Sequence, residues 1–133
     1  MMTEYEIKFR GKRIDNGEWV YGNLVKYPKT EKWVPQSEIW FFDDEGGGEH
    51  YYIVNPTTVG QFTGLYDKDG KEIYEGDRCD THTMWGKGFV VFERGIFKVC
   101  DISLCTFTPG VEIVGNVYDD PDLLDILEVN PDA

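Results

Sequence analysis

Hydrophobic and polar residues alternate in short runs along most of the chain, which is typical of β-strands that have one face in solvent. In residues 5–10 every second residue is apolar. A turn cluster, Asp15-Asn16-Gly17, follows, and Asn-Gly tolerates the positive φ angles that a tight turn requires. We therefore predict that residues 5–10 and 18–25 form the two strands of a hairpin.

The next segment, residues 26–50, is interrupted too often for a simple strand pattern. Two prolines remove backbone donors, and an acidic, glycine-rich run occupies residues 43–48. Only short aromatic pieces remain, around Trp33 and at residues 39–42. The pattern predicts a long, partly mobile excursion.

From residue 51 onward, short apolar runs recur between turn residues. The sequence Asp67-Lys68-Asp69-Gly70 predicts a tight turn in which Gly70 has a positive φ. Past Gly76 the runs are about ten residues apart, a spacing typical of barrels and sandwiches. The predicted extended segments are residues 51–54, 57–63, 77–83, 88–92, 96–100 and 111–118.

One helix is predicted, at the C-terminal end. Asp119 or Asp120 can cap it, and Pro121 suits its first turn. Its apolar face would consist of Leu123, Leu124 and Leu127. The predicted fold class is therefore all-β: a small barrel or sandwich of short antiparallel strands with a short C-terminal helix, in a single domain over residues 1–133.

Composition favours a folded protein that is not exported. The 133 residues are 41% hydrophobic and 15% aromatic, enough to bury one core without metals or disulfides. The three cysteines include no Cys-x-x-Cys pair, which favours reduced thiols. No apolar run of this sequence approaches the roughly 20 residues that span a bilayer. We therefore predict a cytoplasmic protein with no membrane contact.

The formal charge of −12 is distributed unevenly. Residues 1–30 carry six Lys or Arg against four acids, a net charge of +2. Residues 95–133 carry one Lys against eight acids, a net charge of −7. This asymmetry either favours contact between the head of one subunit and the tail of another, or serves only solubility.

Three blocks of the sequence form a specific set: Lys8-Phe9-Arg10-Gly11-Lys12, residues 61–77 and residues 112–118. Together they resemble the YopX family of small phage and prophage proteins. The resemblance implies an all-β fold with an SH3-like part, an origin in a phage or integrated prophage, self-association, and no assigned catalytic residue. It is weakest at residues 27–51 and 81–87, so an activity located there would not carry over.

Few residues could carry chemistry. Asp77, Asp80 and His82 have metal-binding side chains, but on a strand their spacing does not place all three on one face. Cys79 and His82 form a local thiol and base pair that also faces opposite ways. Gly46-Gly47-Gly48 lacks the downstream Lys-Ser/Thr of a phosphate loop. The sequence therefore predicts no enzyme, no metal and no cofactor.

The basic N-terminal strand is a candidate contact for nucleic acid. Its cationic residues are Lys8, Arg10, Lys12 and Arg13. On a strand the first three share one face, and Trp19 and Tyr21 across the hairpin offer stacking surfaces. The overall acidity opposes this interpretation, because it weakens attraction to a polyanion. The alternative is a solvated face whose charges pair with carboxylates of this chain or of a neighbouring copy.

Large aromatic residues form the second candidate surface. They are Trp33, Trp40, Phe41 and Phe42. We predict a non-enzymatic β-domain that assembles into a homo-oligomer, or docks a host or phage protein, through these side chains. Two alternatives remain open: the aromatics fill one end of the core, or the acidic C-terminal third imitates a nucleic acid and inhibits a host protein.

Overall fold

The structure is a computed structural model that describes residues 6–28, 36–43 and 47–119. Within these ranges the chain is all-β with antiparallel strands, as predicted. Its helical pieces there are single turns of 3-10 helix at Pro56–Thr58 and Leu104–Thr106. The predicted C-terminal helix lies outside the described residues.

The strands are β1 Phe9–Lys12, β2 Trp19–Tyr27, β3 Gln36–Asp43, β4 Gly48–Val54, β5 Gly60–Tyr66, β6 Glu72–Tyr74, β7 Asp77–Asp80, β8 Lys87–Phe89, β9 Val91–Glu93, β10 Ile96–Val99, β11 Ile102–Ser103 and β12 Glu112–Asn116.

The chain divides into two compact units, Met1–Phe62 and Thr63–Ala133. Strand β5 crosses the boundary, because its residues 60–62 belong to the first unit and residues 63–66 to the second. The single domain predicted for residues 1–133 stays a prediction.

The first unit is built on an antiparallel sheet with the strand order β4-β3-β2-β1-β5. The predicted opening hairpin is confirmed, and Lys12 lies opposite Trp19 at its closed end. In the turn, the backbone N–H of Gly17 donates to the carbonyl O of Arg13 over 2.9 Å. Gly17 has a φ of 74°, a conformation that a residue without Cβ adopts at no steric cost.

Residues 36–43 form a complete strand, β3, where the sequence pattern predicted a mobile excursion. That prediction was wrong for this part, because β3 lies between β2 and β4 and pairs with both neighbours. Pairing on two sides supplies hydrogen bonds and burial, and the β-propensity of single residues does not include either contribution. Likewise, the extended segment predicted from residue 57 begins only at Gly60, since Pro56–Thr58 turn as 3-10 helix.

The core of the first unit is closed by β1 and β4. Arg13 forms an isolated antiparallel bridge with Val54, and the N–H of Asn55 donates to the carbonyl O of Lys12 over 2.8 Å. Val54 is thereby held against Gly11, where an added Cβ would lie 2.9 Å from Val54 Cγ2 and 3.0 Å from Val54 Cβ. Gly11 is therefore required by the close approach of a buried, branched side chain.

The second unit contains two three-stranded sheets, β12-β7-β8 and β11-β10-β9, and β6 is the neighbour of β5 in the strand order. Its buried core consists of Ile73, Cys79, Val90, Val99, Leu104 and Val111. Among the described residues no sheet closes into a barrel, so of the two predicted architectures the open sheets of a sandwich fit better. The SH3-like part stays a prediction.

The predicted turn at residues 67–70 is confirmed, and Asp67 organises it. Gly70 has a φ of 81°, and its N–H donates to the carbonyl O of Asp67 over 3.0 Å. The buried Asp67 carboxylate accepts the backbone N–H of Asp69 and of Lys71, each at 2.9 Å, and that of Ile113 at 3.2 Å. One carboxylate thus ties the turn to the start of β12.

The turn at Gly76 and Asp77 has a similar structural role. The N–H of Gly76 donates to the carbonyl O of Val90, and the N–H of Val117 donates to the carbonyl O of Gly76. The Asp77 carboxylate accepts the backbone N–H of Tyr74 over 2.8 Å. Gly76 and Asp77, at the end of the block of residues 61–77, therefore have structural roles in the second unit.

Candidate interaction surface

One face of the first unit's sheet contains residues from both of the interaction surfaces that the sequence predicted. Alternation along β1 to β4, with the observed registers, places basic and aromatic side chains together on this side. We call it the aromatic–basic face, after its members Lys8, Arg10, Lys12, Trp19, Tyr21, Trp40, Phe42 and Tyr51. The same registers place two carboxylates, those of Glu38 and Glu49, on this side.

The basic side chains of this face lie over aromatic rings. Lys8 Nζ is 5.2 Å from the centroid of Phe62, and Lys12 Nζ is 5.5 Å from that of Trp19. Arg10 Cζ is 4.5 Å from the same Trp19 ring. Such contacts contribute about 0.5–2 kcal/mol each, and they fix where the cations point.

Arg10 is a structural residue rather than an exposed cation. Its side chain is buried, with only 6% of the residue exposed. Of the basic strand face that the sequence predicted, Lys8 and Lys12 are the half-buried members that reach solvent. A ligand phosphate would therefore meet two lysines, and not the run of cations that the spacing suggested.

The aromatic part of the face is ordered by stacking and by a buried carboxylate. Trp40 and Tyr51 stack with ring centroids 4.7 Å apart and an interplanar angle of 19°. The indole N–H of Trp40 donates to Glu38 over 2.9 Å, and the Gln36 side chain donates to the other Glu38 oxygen over 2.6 Å. The Trp40 ring is therefore held in place before any partner arrives.

Large parts of these aromatics face solvent. Phe42 is 72% exposed, Tyr51 is 50% exposed and Tyr21 is 47% exposed. The Trp40 ring lies beside them and is half-buried. Exposed aromatics that adjoin one another on a sheet are uncommon unless they contact a partner.

Two of the predicted site residues that the structure describes, Phe41 and Arg13, do not join this face. Phe41 points to the opposite side of β3, where it stacks with Tyr52 at 5.7 Å between ring centroids. Arg13 also lies on that side, over the Tyr52 ring at 3.7 Å, and forms an ion pair with Asp15 at 2.6 Å. Trp33 lies outside the described residues.

The residues considered for metal chemistry are not brought together. Asp77 is buried in its turn, whereas His82 Nε2 lies 2.9 Å from Glu112 and His82 Nδ1 lies 3.9 Å from Asp80. Over residues 6–28, 36–43 and 47–119, no group of three or more His, Cys, Asp or Glu is arranged to hold a metal ion.

The three cysteines occupy different environments and are all free thiols. Cys79 is fully buried in the core of the second unit, and Cys105 is exposed. Burial, followed by the charge of Asp101, raises the pKa of the half-buried Cys100 thiol. Cys79 is thus closed to solvent, and the raised pKa of Cys100 leaves less of the reactive thiolate.

We expect iodoacetamide to modify the three cysteines in the order Cys105, Cys100, Cys79 at pH 8. Cys100 reacts more slowly because its raised pKa leaves less thiolate, and Cys79 reacts only when the second unit opens. Peptide mass mapping over time measures the order. Modification of Cys79 as fast as Cys105 would contradict the buried placement.

Sequence reasoning did not include Tyr51 in the candidate surface. The signal that could have found it is strand alternation, which places Tyr51 on one face with Glu49 and Ile53 in the segment that follows residues 39–42. Pairing of those two segments as strands places Tyr51 opposite Trp40.

Comparisons with known proteins agree on a family and on a fold. The family model described as YopX protein matches residues 8–125. No curated protein matches the sequence. Among solved structures, the crystal structure of protein EF1440 from Enterococcus faecalis is similar, with a TM-score of 0.57 and 19% sequence identity. The match covers 91% of this chain and 99% of that chain, and at this identity it shows the fold alone.

Among residues 6–28, 36–43 and 47–119, no helix has the length and apolar character needed to cross a bilayer.

Proposed function

The chain belongs to the YopX family, and from this premise we propose that it is a non-enzymatic binding protein of phage or prophage origin that assembles with further copies of itself through the aromatic–basic face. Its place of action is the cytoplasm of a bacterial host, in keeping with free, reduced cysteines.

The observation that carries the proposal is the exposure of Phe42 beside the stacked pair of Trp40 and Tyr51. Phe42 is 72% exposed and Tyr51 is 50% exposed, although both lie within regular strands. Aromatic side chains that are already held in position lose little conformational entropy on binding, and Trp and Tyr are enriched among the residues that dominate interface energy.

Long-range charge opposes contact between two copies, because each chain carries a net charge of −12. At the edge of the aromatic–basic face, Lys8 lies 3.5 Å from Glu6 of its own chain. The attraction in this proposal therefore comes from the exposed aromatic side chains of the face.

Binding rather than catalysis is supported by the roles of the residues that could carry chemistry. Asp77 accepts a backbone N–H in a turn, and Cys79 is completely buried. Both side chains are thus committed to the scaffold of the second unit.

Nucleic-acid binding through the same face is the alternative proposal, because Lys8 and Lys12 lie beside the Trp19 ring. The burial of Arg10 weakens it. Retardation of labelled single-stranded DNA at low salt, lost on changing Lys8 and Lys12 to glutamine, would favour this alternative. An acidic mimic of nucleic acid stays a third proposal, supported only by the net charge of −7 in residues 95–133.

The proposal is tested by a face variant that carries Phe42→Thr and Tyr51→Thr. We expect it to be monomeric at concentrations where the natural chain assembles, with an association constant lowered roughly tenfold or more, as for hot-spot residues. Threonine keeps β-propensity and the replaced groups face solvent, so the fold is retained. Light scattering behind size exclusion measures the mass, and circular dichroism checks the fold.

A matched control is Ile7→Thr, because Ile7 is 61% exposed in the same unit and alternation with Lys8 places it on the other side of the sheet. This control should assemble like the natural chain. If the face variant also assembles like the natural chain, the aromatic–basic face is not the contact surface and the proposal fails.

A further inference from the structure

We propose that two copies of the chain join at the outer edge of β4, where each copy lays its β4 antiparallel beside the β4 of the other. The sheets of the two first units then continue into one another across a two-fold axis. This inference rests on the proposed function, since it names the edge of the aromatic–basic face at which self-association occurs.

Strand β4 is the outermost strand of the first unit's sheet, and its inner neighbour is β3. One end of its outer edge is covered, because Arg13 bridges to Val54 and the N–H of Ile14 donates to the carbonyl O of Ile53 over 3.1 Å. Among residues 6–28, 36–43 and 47–119, no further strand pairs with this edge. The outer edge is therefore open from Gly48 to Tyr52.

The register shows which backbone groups point out of the open edge. The carbonyl O of Ile53 points away from β3, because it accepts the N–H of Ile14. Backbone groups of alternate residues in a strand point to the same side, so those of Glu49 and Tyr51 point outward as well. Within the described part of the chain, no hydrogen bond occupies these outward groups. A row of such N–H and C=O groups is a template for a further strand.

The sequence of β4 lacks the features that usually protect an edge strand. Gly48–Val54 contains no Lys, Arg or Pro. All seven of its residues pair with β3 in continuous register, so no bulge twists the edge away. Natural edge strands are commonly blocked by lysine, by proline, by a bulge or by a covering segment. An unprotected edge of this length favours pairing with another chain.

A groove lies along the open edge, beside the end that Ile14 covers. Its volume is about 310 Å³, and it is lined by Ile14, Asp15, Tyr51, Tyr52 and Ile53. Most of this lining is apolar, although Ile14 is 63% exposed and Tyr51 is 50% exposed. An added strand would remove these side chains from water, which is favourable.

A second β4 fits this edge in one register. Outward-pointing residues must meet outward-pointing residues for their backbones to bond. Glu49 opposite Glu49 would place like charges face to face. Tyr51 opposite Tyr51 would place Glu49 against Ile53, whose carbonyl O already accepts Ile14. Glu49 opposite Tyr51 avoids both conflicts, and each of these pairs exchanges both of its backbone hydrogen bonds.

The same register extends the aromatic–basic face from one copy to the other. The Tyr51 rings of the two copies become diagonal neighbours, a separation that aromatic side chains bridge, and each ring stacks on Trp40 of its own copy. On the other side of the sheet, Gly48 of one copy comes opposite Tyr52 of the other. A residue without a side chain thus enters the groove beside Ile14. Backbone, aromatic rings and groove are all satisfied by a second copy of this strand.

A disulfide test measures the register directly. His50 comes opposite His50 of the other copy, and residues opposed in this way have Cα atoms about 4.5 Å apart, within the range that a disulfide spans. We expect mild oxidation to convert His50→Cys to a covalent dimer, with peptide mass mapping locating the link between the two introduced thiols. Glu49→Cys is the matched control, because its two copies lie diagonally, and it should link at least about tenfold more slowly.

A proline test measures the contribution of the edge to assembly. Glu49→Pro removes an outward N–H that β3 does not use, and proline is tolerated at such positions of edge strands. The association constant should fall about tenfold or more, because each copy loses a backbone hydrogen bond and gains a clash. Glu49→Thr, which keeps the N–H, is the matched control and should assemble like the natural chain. Light scattering measures the mass, and circular dichroism checks the fold.

If Glu49→Pro assembles like the natural chain, or if His50→Cys links no faster than Glu49→Cys, pairing at the β4 edge is overturned. The proposed function still stands in that case, provided that the face variant with Phe42→Thr and Tyr51→Thr is monomeric. If the face variant assembles like the natural chain, the proposed function itself fails. A natural chain that is monomeric throughout would overturn both, and an extended segment of a different protein would then be the remaining candidate for this edge.

Discussion

Replacement of Asp67 by asparagine will lower the free energy of unfolding by about 3 kcal/mol at pH 7, because a buried acceptor of several N–H groups is lost. The Asp67 carboxylate accepts backbone N–H groups at 2.9, 2.9 and 3.2 Å, and the residue is 4% exposed. Asparagine has the same shape but turns an N–H₂ toward donors that need an acceptor. Urea unfolding of the variant and of the natural chain measures the difference.

The same residue makes stability depend on pH. Burial raises the pKa of Asp67, but the N–H groups of Lys71, Ile113 and Asp69 outweigh it, and the pKa lies below its ordinary value. A lowered folded pKa stabilises the fold above the unfolded pKa of about 3.9, and this contribution is lost as pH falls through the folded value.

Asp69→Asn is the matched control for Asp67, because Asp69 is exposed in the same turn and contacts Lys68 at 3.4 Å. We expect that variant to unfold within about 0.5 kcal/mol of the natural chain. The gap between the natural chain and Asp67→Asn should narrow once the pH falls below about 4. A gap that is constant from pH 7 to pH 3 would show that the charge of Asp67 does not matter to stability.

Gly11→Ala should destabilise the first unit by about 2–3 kcal/mol through overpacking. Its Cβ would lie 2.9 Å from Val54 Cγ2 and 3.0 Å from Val54 Cβ, closer than carbon atoms approach in folded proteins. Val54 cannot move aside easily, because it is 1% exposed and branched at Cβ. Thermal and urea unfolding measure the loss.

A double variant separates this clash from other effects of alanine. Val54→Ala alone should cost about 2–3 kcal/mol as a cavity. In Gly11→Ala with Val54→Ala, the new methyl fills part of that cavity, so the combined loss should be smaller than the sum of the single losses by at least about 1 kcal/mol. Additive losses would mean that Gly11 is not packed against Val54.

Local signals in the sequence predicted the turns well. Asp67-Lys68-Asp69-Gly70 is a turn because an acidic side chain bonds to nearby N–H groups and a glycine supplies the positive φ, and both properties belong to the residues themselves. The opening hairpin at Asn16-Gly17 follows from the same local chemistry. Local turn chemistry of this kind needs no knowledge of distant contacts.

Strand β3 was missed because its stability is not local. Prolines and glycines on either side suggest a loop, but β2 and β4 satisfy its backbone from both sides. The partner strands come from residues up to about thirty positions apart, and a single sequence does not show which segments will pair.

The candidate surface was predicted only in part, because the burial of a side chain also depends on which strands pair. Alternation correctly placed Lys8, Arg10 and Lys12 on one face, since that pattern depends only on strand geometry. The burial of Arg10 beside Trp19 depends on strand pairing. Phe41 lies on the other face from Trp40 and Phe42 by alternation alone, once residues 36–43 are known to form a strand.

Light scattering over a hundredfold range of concentration, at low and at high salt, measures the mass of the natural chain in solution. This measurement tests whether the protein assembles with further copies of itself. We predict species larger than one chain at micromolar concentration that persist at high salt, because salt screens the repulsion between copies that each carry a net charge of −12. A monomer at every concentration and salt would contradict self-assembly through the aromatic–basic face.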